Sequence, residues 1–71
     1  MEIDDLKCIA NEVIPPVGGS LKYDAKVQFL YVKDGENRIK IHEEFGETLG
    51  ETKEEAISKM YSKVSEWVST Q

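Results

Sequence analysis

One cysteine, one histidine, one tryptophan and two prolines are all that 71 residues hold of those types, and each scarcity closes a route. A single thiol, Cys8, has no partner for an internal disulfide, so packing alone must hold the core. The lone His42 leaves no multi-histidine metal set. Apolar runs are only a few residues long, too short to cross a bilayer as a helix. The chain also lacks a phosphate-cradling glycine loop, paired metal-ligand spacing and a nucleophile elbow. Its acidic start, Met1-Glu2-Ile3-Asp4-Asp5, has neither the basic nor the apolar stretch of a secretory leader. With one unpaired thiol, these features lead us to expect a cytoplasmic protein with no membrane segment.

What is present suits a small folded unit. Hydrophobic residues make up 39% of the chain, enough for a thin core and too many for a typical disordered segment. We expect residues 1–71 to form one small domain. The net charge of −5 is unevenly spread. Residues 21–42 are net basic through Lys22, Lys26, Lys33, Arg38 and Lys40, and both flanks are acidic. An acidic whole repels a phosphate backbone at long range, while a basic middle can still touch one locally.

Apolar periodicity sets the expected elements. Leu6, Ile9, Ala10 and Val13 fit a helix over residues 4–14, with Asp4 or Asp5 at its start and Pro15-Pro16 as its stop. A strand over 6–14 is the competing reading, because Ile9, Val13 and Ile14 suit either state. Val17-Gly18-Gly19-Ser20 reads as a turn or connector. Residues 21–47 then read as one long hairpin turning at Lys33-Asp34-Gly35. A two-residue Asp34-Gly35 turn separates the apolar residues of the two strands. A three-residue loop instead sets Phe29 opposite Ile39, Val27 opposite Ile41 and Tyr23 opposite Phe45, gathering them on one face. The second register is the one expected. Thr52 and Glu55 form a capping box at the start of a helix running to about Thr70. Its apolar stripe is Ala56, Ile57, Met60, Tyr61, Val64, Trp67 and Val68. A short third strand near residues 47–51 remains open. The expected fold class is α+β in the order α-β-β-α, an antiparallel hairpin covered on one face by two helices.

That register leaves Lys26, Gln28, Leu30 and Val32 on the outer face of one strand and Arg38 and Lys40 on the other. Exposed aliphatics among cations have the composition of a partner-binding surface. Unpaired strand edges add the prospect of self-association. His42, Glu44 and Asp24 share this face without a fourth ligand, so we expect no metal. Cys8 and His42 have no spacing that suggests a nucleophile pair. Tyr61 and Trp67 read as core. We expect no catalytic residues and no cofactor.

The order strand, Lys-Asp-Gly turn, strand, then Gly50-Glu51-Thr52-Lys53-Glu54-Glu55-Ala56 resembles two small modules of bacteria and phages. One is the antitoxin domain of the HicB type, whose helix often starts with a similar Gly-x-Thr-x-Glu-Glu-Ala stretch. The other is the arm-type DNA-binding domain of phage integrases, a small sheet followed by a helix with a Thr-Lys-x-Glu-Ala start. Each resemblance spans at most residues 27–68. The first implies a toxin partner and the second a basic sheet on DNA, which Arg38 and Lys40 fit in part. The residues themselves favour a small non-enzymatic interaction or regulatory protein that binds another protein, or a second copy of itself, through the outer face or edge of the hairpin. Nucleic-acid binding by the basic hairpin face is the alternative, and the net charge disfavours it.

Overall fold

The computed structural model describes residues 1–17, 19 and 21–71. In order, its elements are β1 (Glu2–Val17), β2 (Leu21–Asp34), β3 (Asn37–Lys40), β4 (Glu47–Gly50) and α1 (Lys53–Ser69). They form a four-stranded antiparallel sheet with β2 at its centre. β1 runs along one side of β2, while β3 and β4 share the other side end to end. The single helix lies across one face. The two-helix α-β-β-α arrangement is therefore overturned: the segment expected as the first helix is a strand.

The reason lies in a double periodicity. Leu6, Ile9, Ala10 and Val13 fit a helical stripe, but Leu6, Cys8 and Ala10 also alternate with polar or exposed neighbours. The strand lets them meet Leu30, Val27 and Ala25 directly across β2. An isolated helix of that length is marginal, so pairing partners decide the outcome. Asp4 and Asp5 cap no helix and pair instead with Lys33 and Arg38. Pro15 and Pro16 fall in β1, an outer strand where a missing N–H is tolerated. The turn expected over 17–20 includes Gly18 and Ser20, which lie outside the described residues.

The hairpin register is also corrected. β2 and β3 join through a two-residue turn, Gly35-Glu36, which pairs Asp34 with Asn37, Val32 with Ile39 and Tyr31 with Lys40. Gly35 has φ 65° and Glu36 keeps a negative φ. Glycine at the first central position is what a type II′ hairpin turn requires, and its twist matches that of the strands. Strand β3 ends at Lys40. The chain then loops through 41–46 and returns as β4, the third strand left open by the sequence, pairing Ala25 with Thr48.

One unpaired residue in β2 sorts the faces. Val27 lies opposite Cys8 and Phe29 opposite Lys7, so Gln28 is extra and forms a bulge. Before the bulge, odd residues face the helix: Ala25 is buried, and Tyr23 and Val27 pack beside it. After it, even residues do so: Leu30 and Val32 are 1% and 0% exposed. A second shift in β1, between Ile3 and Asp5, restores the pairing near the turn. The core consists of Ala25, Leu30, Val32 and Phe45 with Ala56, Met60, Val64 and Val68 of the helix.

Helix α1 begins as its sequence indicates. The Thr52 hydroxyl accepts from Glu55 N–H at 3.1 Å. The Glu55 carboxylate reaches Glu51 N–H at 3.2 Å, one residue before the cap. Glu55 and Lys59 pair at 3.2 Å, and the Lys63 ammonium donates to the Phe45 carbonyl. Buried Gly50 admits the helix start so closely that a Cβ there would sit 2.6 Å from Ala56 N. Trp67 packs edge-on to Phe45, at 5.5 Å between ring centres, while Tyr61 is 42% exposed.

Candidate functional site

The face of the sheet opposite α1 carries the most distinctive side-chain group. The bulge at Gln28 turns Phe29 and Tyr31 onto it, where their rings meet at 5.6 Å with a 60° tilt. Both rings are half-buried. The β2–β3 register sets Lys40 opposite Tyr31 and Arg38 opposite Lys33. The Arg38 guanidinium lies over the Tyr31 ring at 4.2 Å, and the Lys40 ammonium is 5.9 Å from the same ring. Such cation–ring contacts stabilise by about 0.5–1 kcal/mol at exposed sites.

Two carboxylates hold the arginine in place. Arg38 Nε lies 2.6 Å from Asp4 Oδ2, and Nη2 lies 3.8 Å from Asp5 Oδ2. Lys33 Nζ approaches Asp4 Oδ1 at 3.7 Å. Asp4 reaches them because it is the extra residue in the β1 shift. The Arg38 side chain is 52% exposed, so these pairs contribute at most about 1 kcal/mol each. Their main effect is to fix the guanidinium, leaving part of it open to solvent. Lys7, opposite Phe29, completes a patch of four cations (Lys7, Lys33, Arg38, Lys40) around two rings and two carboxylates.

The sequence-derived surface is thus rearranged. Arg38 and Lys40 are exposed and meet on Tyr31. Lys26 and Gln28 are exposed too. Lys26, however, lies beyond the bulge, between Ile9 and Glu47 on the neighbouring strands. Leu30 and Val32 leave the surface altogether, being buried under the helix. Phe29, Tyr31 and Lys33 take their places. A period-two run through Phe29, Tyr31 and Lys33 is visible in the sequence, but it competes there with the equally apolar Leu30 and Val32.

A second concavity of about 630 Å³ opens between Lys26–Val27 and the loop Glu43–Glu47, with Phe45 in its wall. Glu43, Glu44 and Glu47 make its rim acidic. No group of three His, Cys, Asp or Glu side chains suited to a metal ion occurs among the described residues. Asp24 faces Leu49 and Asn11, away from the expected Glu44, and its Oδ1 has no hydrogen-bond partner among the described residues. Cys8 is half-buried on the helix side of β1, where desolvation raises its thiol pKa above the ordinary value of 9.0. A thiol held protonated in this way is a poor nucleophile at neutral pH. No helix is long and apolar enough to cross a membrane among the described residues.

No protein-family model, curated protein or solved structure matches this chain.

Proposed function

We propose that this chain is a non-enzymatic binding protein that holds an acidic protein partner on the helix-free face of its sheet. The observation that carries this reading is the Phe29–Tyr31 ring pair under Arg38 and Lys40. Aromatic rings and arginine dominate the energetics of protein interfaces, where rigid rings bury area at little entropic cost. Arg38 is already oriented by Asp4 and Asp5, so less of its freedom is lost on docking. The four cations favour carboxylates on the partner. Asp4 and Asp5, with the net charge of −5, weigh against a polyphosphate ligand.

Charge reversal tests the proposal. Immobilised wild-type chain and the double variant Arg38→Glu, Lys40→Glu are compared for what each retains from lysate of the source cells. A protein held by the wild type and released by the variant, with unchanged far-ultraviolet dichroism of the variant, is the expected result. Retention of RNA or DNA whose affinity falls steeply with salt transfers the site to nucleic acid. Equal retention of the same proteins by both chains rejects the site.

A further inference from the structure

We propose that two copies of this chain join edge to edge through β1, in antiparallel register about a two-fold axis at Ile9. The interface runs along the sheet edge beside the Phe29–Tyr31 rings and shares Lys7 with their patch, and neither proposal requires the other.

The backbone directions come first. Ile41 N–H donates to the Leu30 carbonyl at 2.9 Å, so Leu30 turns its polar groups to the β3 side. Leu6, directly opposite Leu30, therefore has no ladder bond to β2 and points its own N–H and C=O to the outer edge. The Tyr61 hydroxyl reaches over from the helix to that carbonyl at 3.3 Å. β1 carries no extra residue from Leu6 to Glu12, since the extra residue at the Lys7/Cys8 shift is Gln28 on β2, so strand alternation turns the polar groups of Cys8, Ala10 and Glu12 outward as well. No described strand pairs with them. An open edge of this kind is a template for another strand, and proteins usually blunt it with bulges, charge or proline. Here the shift at Asp4 and the Tyr61 hydroxyl guard the first half of β1. The stretch Cys8-Ile9-Ala10 carries no charge and no guard.

Exposed apolar groups concentrate on the same strand. Six large hydrophobic side chains are well exposed among the described residues. Ile3, Ile9 and Ile14 lie on β1, Met1 precedes it and Tyr61 stands beside it; only Ile39 is elsewhere. The sheet also outruns its cover. α1 spans about 25 Å at 1.5 Å per residue, whereas the 16-residue β1 runs along most of the 45 Å longest dimension of the molecule. On the Leu21 side of Tyr23, β2 pairs with β1 alone among the described residues, and a two-stranded ribbon is marginal by itself in water. Doubling the sheet supplies the neighbours it lacks.

A second copy fits this edge by symmetry. With the axis at Ile9, Cys8 of each copy meets Ala10 of the other, and their outward N–H and C=O groups pair. The two Ile9 side chains, each 39% exposed, meet on the helix-free face as a close non-hydrogen-bonded pair. Lys7 then faces Asn11, so no like charges oppose each other. The two Phe29–Tyr31 patches end on one continuous sheet.

The test measures mass by light scattering on the full chain at high micromolar concentration. Wild type should weigh twice its 8.1 kDa. Ile9→Lys, which sets two ammonium groups against each other, should weigh 8.1 kDa with an unchanged dichroism spectrum. Amide exchange identifies the surface: Cys8, Ala10 and Glu12 should be protected in the dimer and become labile on dilution. In the variant Cys8→Ala, Ile9→Cys, mild oxidation should give a cross-linked pair. A wild type that remains single at high concentration overturns the proposal. So does a dimer in which those three amides exchange freely, or one that persists unchanged in folded Ile9→Lys.

Discussion

Deleting Gln28 should leave the fold standing, and replacing it should do almost nothing. The side chain is exposed, and truncation to alanine is expected to change stability by no more than about 0.5 kcal/mol. The extra backbone unit moves the helix-facing set of β2 from odd to even residues. Deletion makes Phe29 follow Val27 directly, so plain alternation still sets Phe29 and Tyr31 on the open side and Leu30 and Val32 under the helix, with no bulge opposite Lys7 and Cys8. The costly event is loss of the bulge with Gln28 kept, which turns Phe29 and Tyr31 under the helix and drives Leu30 and Val32 into solvent. Those two are 1% and 0% exposed. Fully burying such a side chain stabilises by about 1.5–3 kcal/mol, so exposing both costs about 3–6 kcal/mol. A chain of this length has about 4–11 kcal/mol in total, at about 0.05–0.15 kcal/mol per residue. Inserting the Tyr31 hydroxyl and displacing Arg38 from its carboxylates adds to the cost.

Urea unfolding followed by far-ultraviolet dichroism and Trp67 fluorescence reads this out, since Trp67 packs on Phe45 in the folded state. With a slope of about 1 kcal/mol per molar, the deletion variant should melt cooperatively with a midpoint within about 1 M of wild type. A midpoint lower by about 3 M or more, a chain largely unfolded without denaturant, would refute the bulge at Gln28 as the device that sorts the two faces.

Other outcomes follow from single contacts. Gly50→Ala should cost about 1–3 kcal/mol in a thermal or urea melt, because its Cβ meets the Ala56 backbone at 2.6 Å. Thr52→Ala should cost about 1 kcal/mol by removing the acceptor for Glu55 N–H. For Cys8, burial raises the folded pKa above the unfolded one. The protonated thiol therefore contributes stability that is fully present below pH 9.0 and is lost as pH rises through the raised folded value. Alkylation of the native thiol should be slow at neutral pH and accelerate in urea; equal rates in both conditions contradict its burial.

The parts of the fold legible in the sequence were those with local chemistry. Thr52 and Glu55 mark the helix start through hydrogen bonds within one turn, and the stripe through Ala56, Met60, Val64 and Val68 has only one sensible face. The strand near 47–51 had a single local mark, the apolar Leu49 within Glu47–Glu51. What stayed hidden depends on tertiary pairing. Leu6, Ile9, Ala10 and Val13 satisfy the helical period as well as Leu6, Cys8 and Ala10 satisfy the strand period, so only the partner on β2 separates them. In Val27-Gln28-Phe29-Leu30-Tyr31-Val32, both alternating sets are apolar after Gln28, and a bulge leaves no mark in composition. Of the candidate surface, Leu30 and Val32 are buried for that reason, while Arg38 and Lys40 are exposed.

The bulge sorts the two faces of β2: Leu30 and Val32 lie under α1 while Phe29 and Tyr31 lie on the open side. Proton–proton contacts in solution measure this directly. Cross-peaks should join the Leu30 and Val32 methyl groups to Met60 and Val64, and the Tyr31 ring to Lys40 and Arg38. Cross-peaks joining the Phe29 and Tyr31 rings to Met60 and Val64 would contradict it.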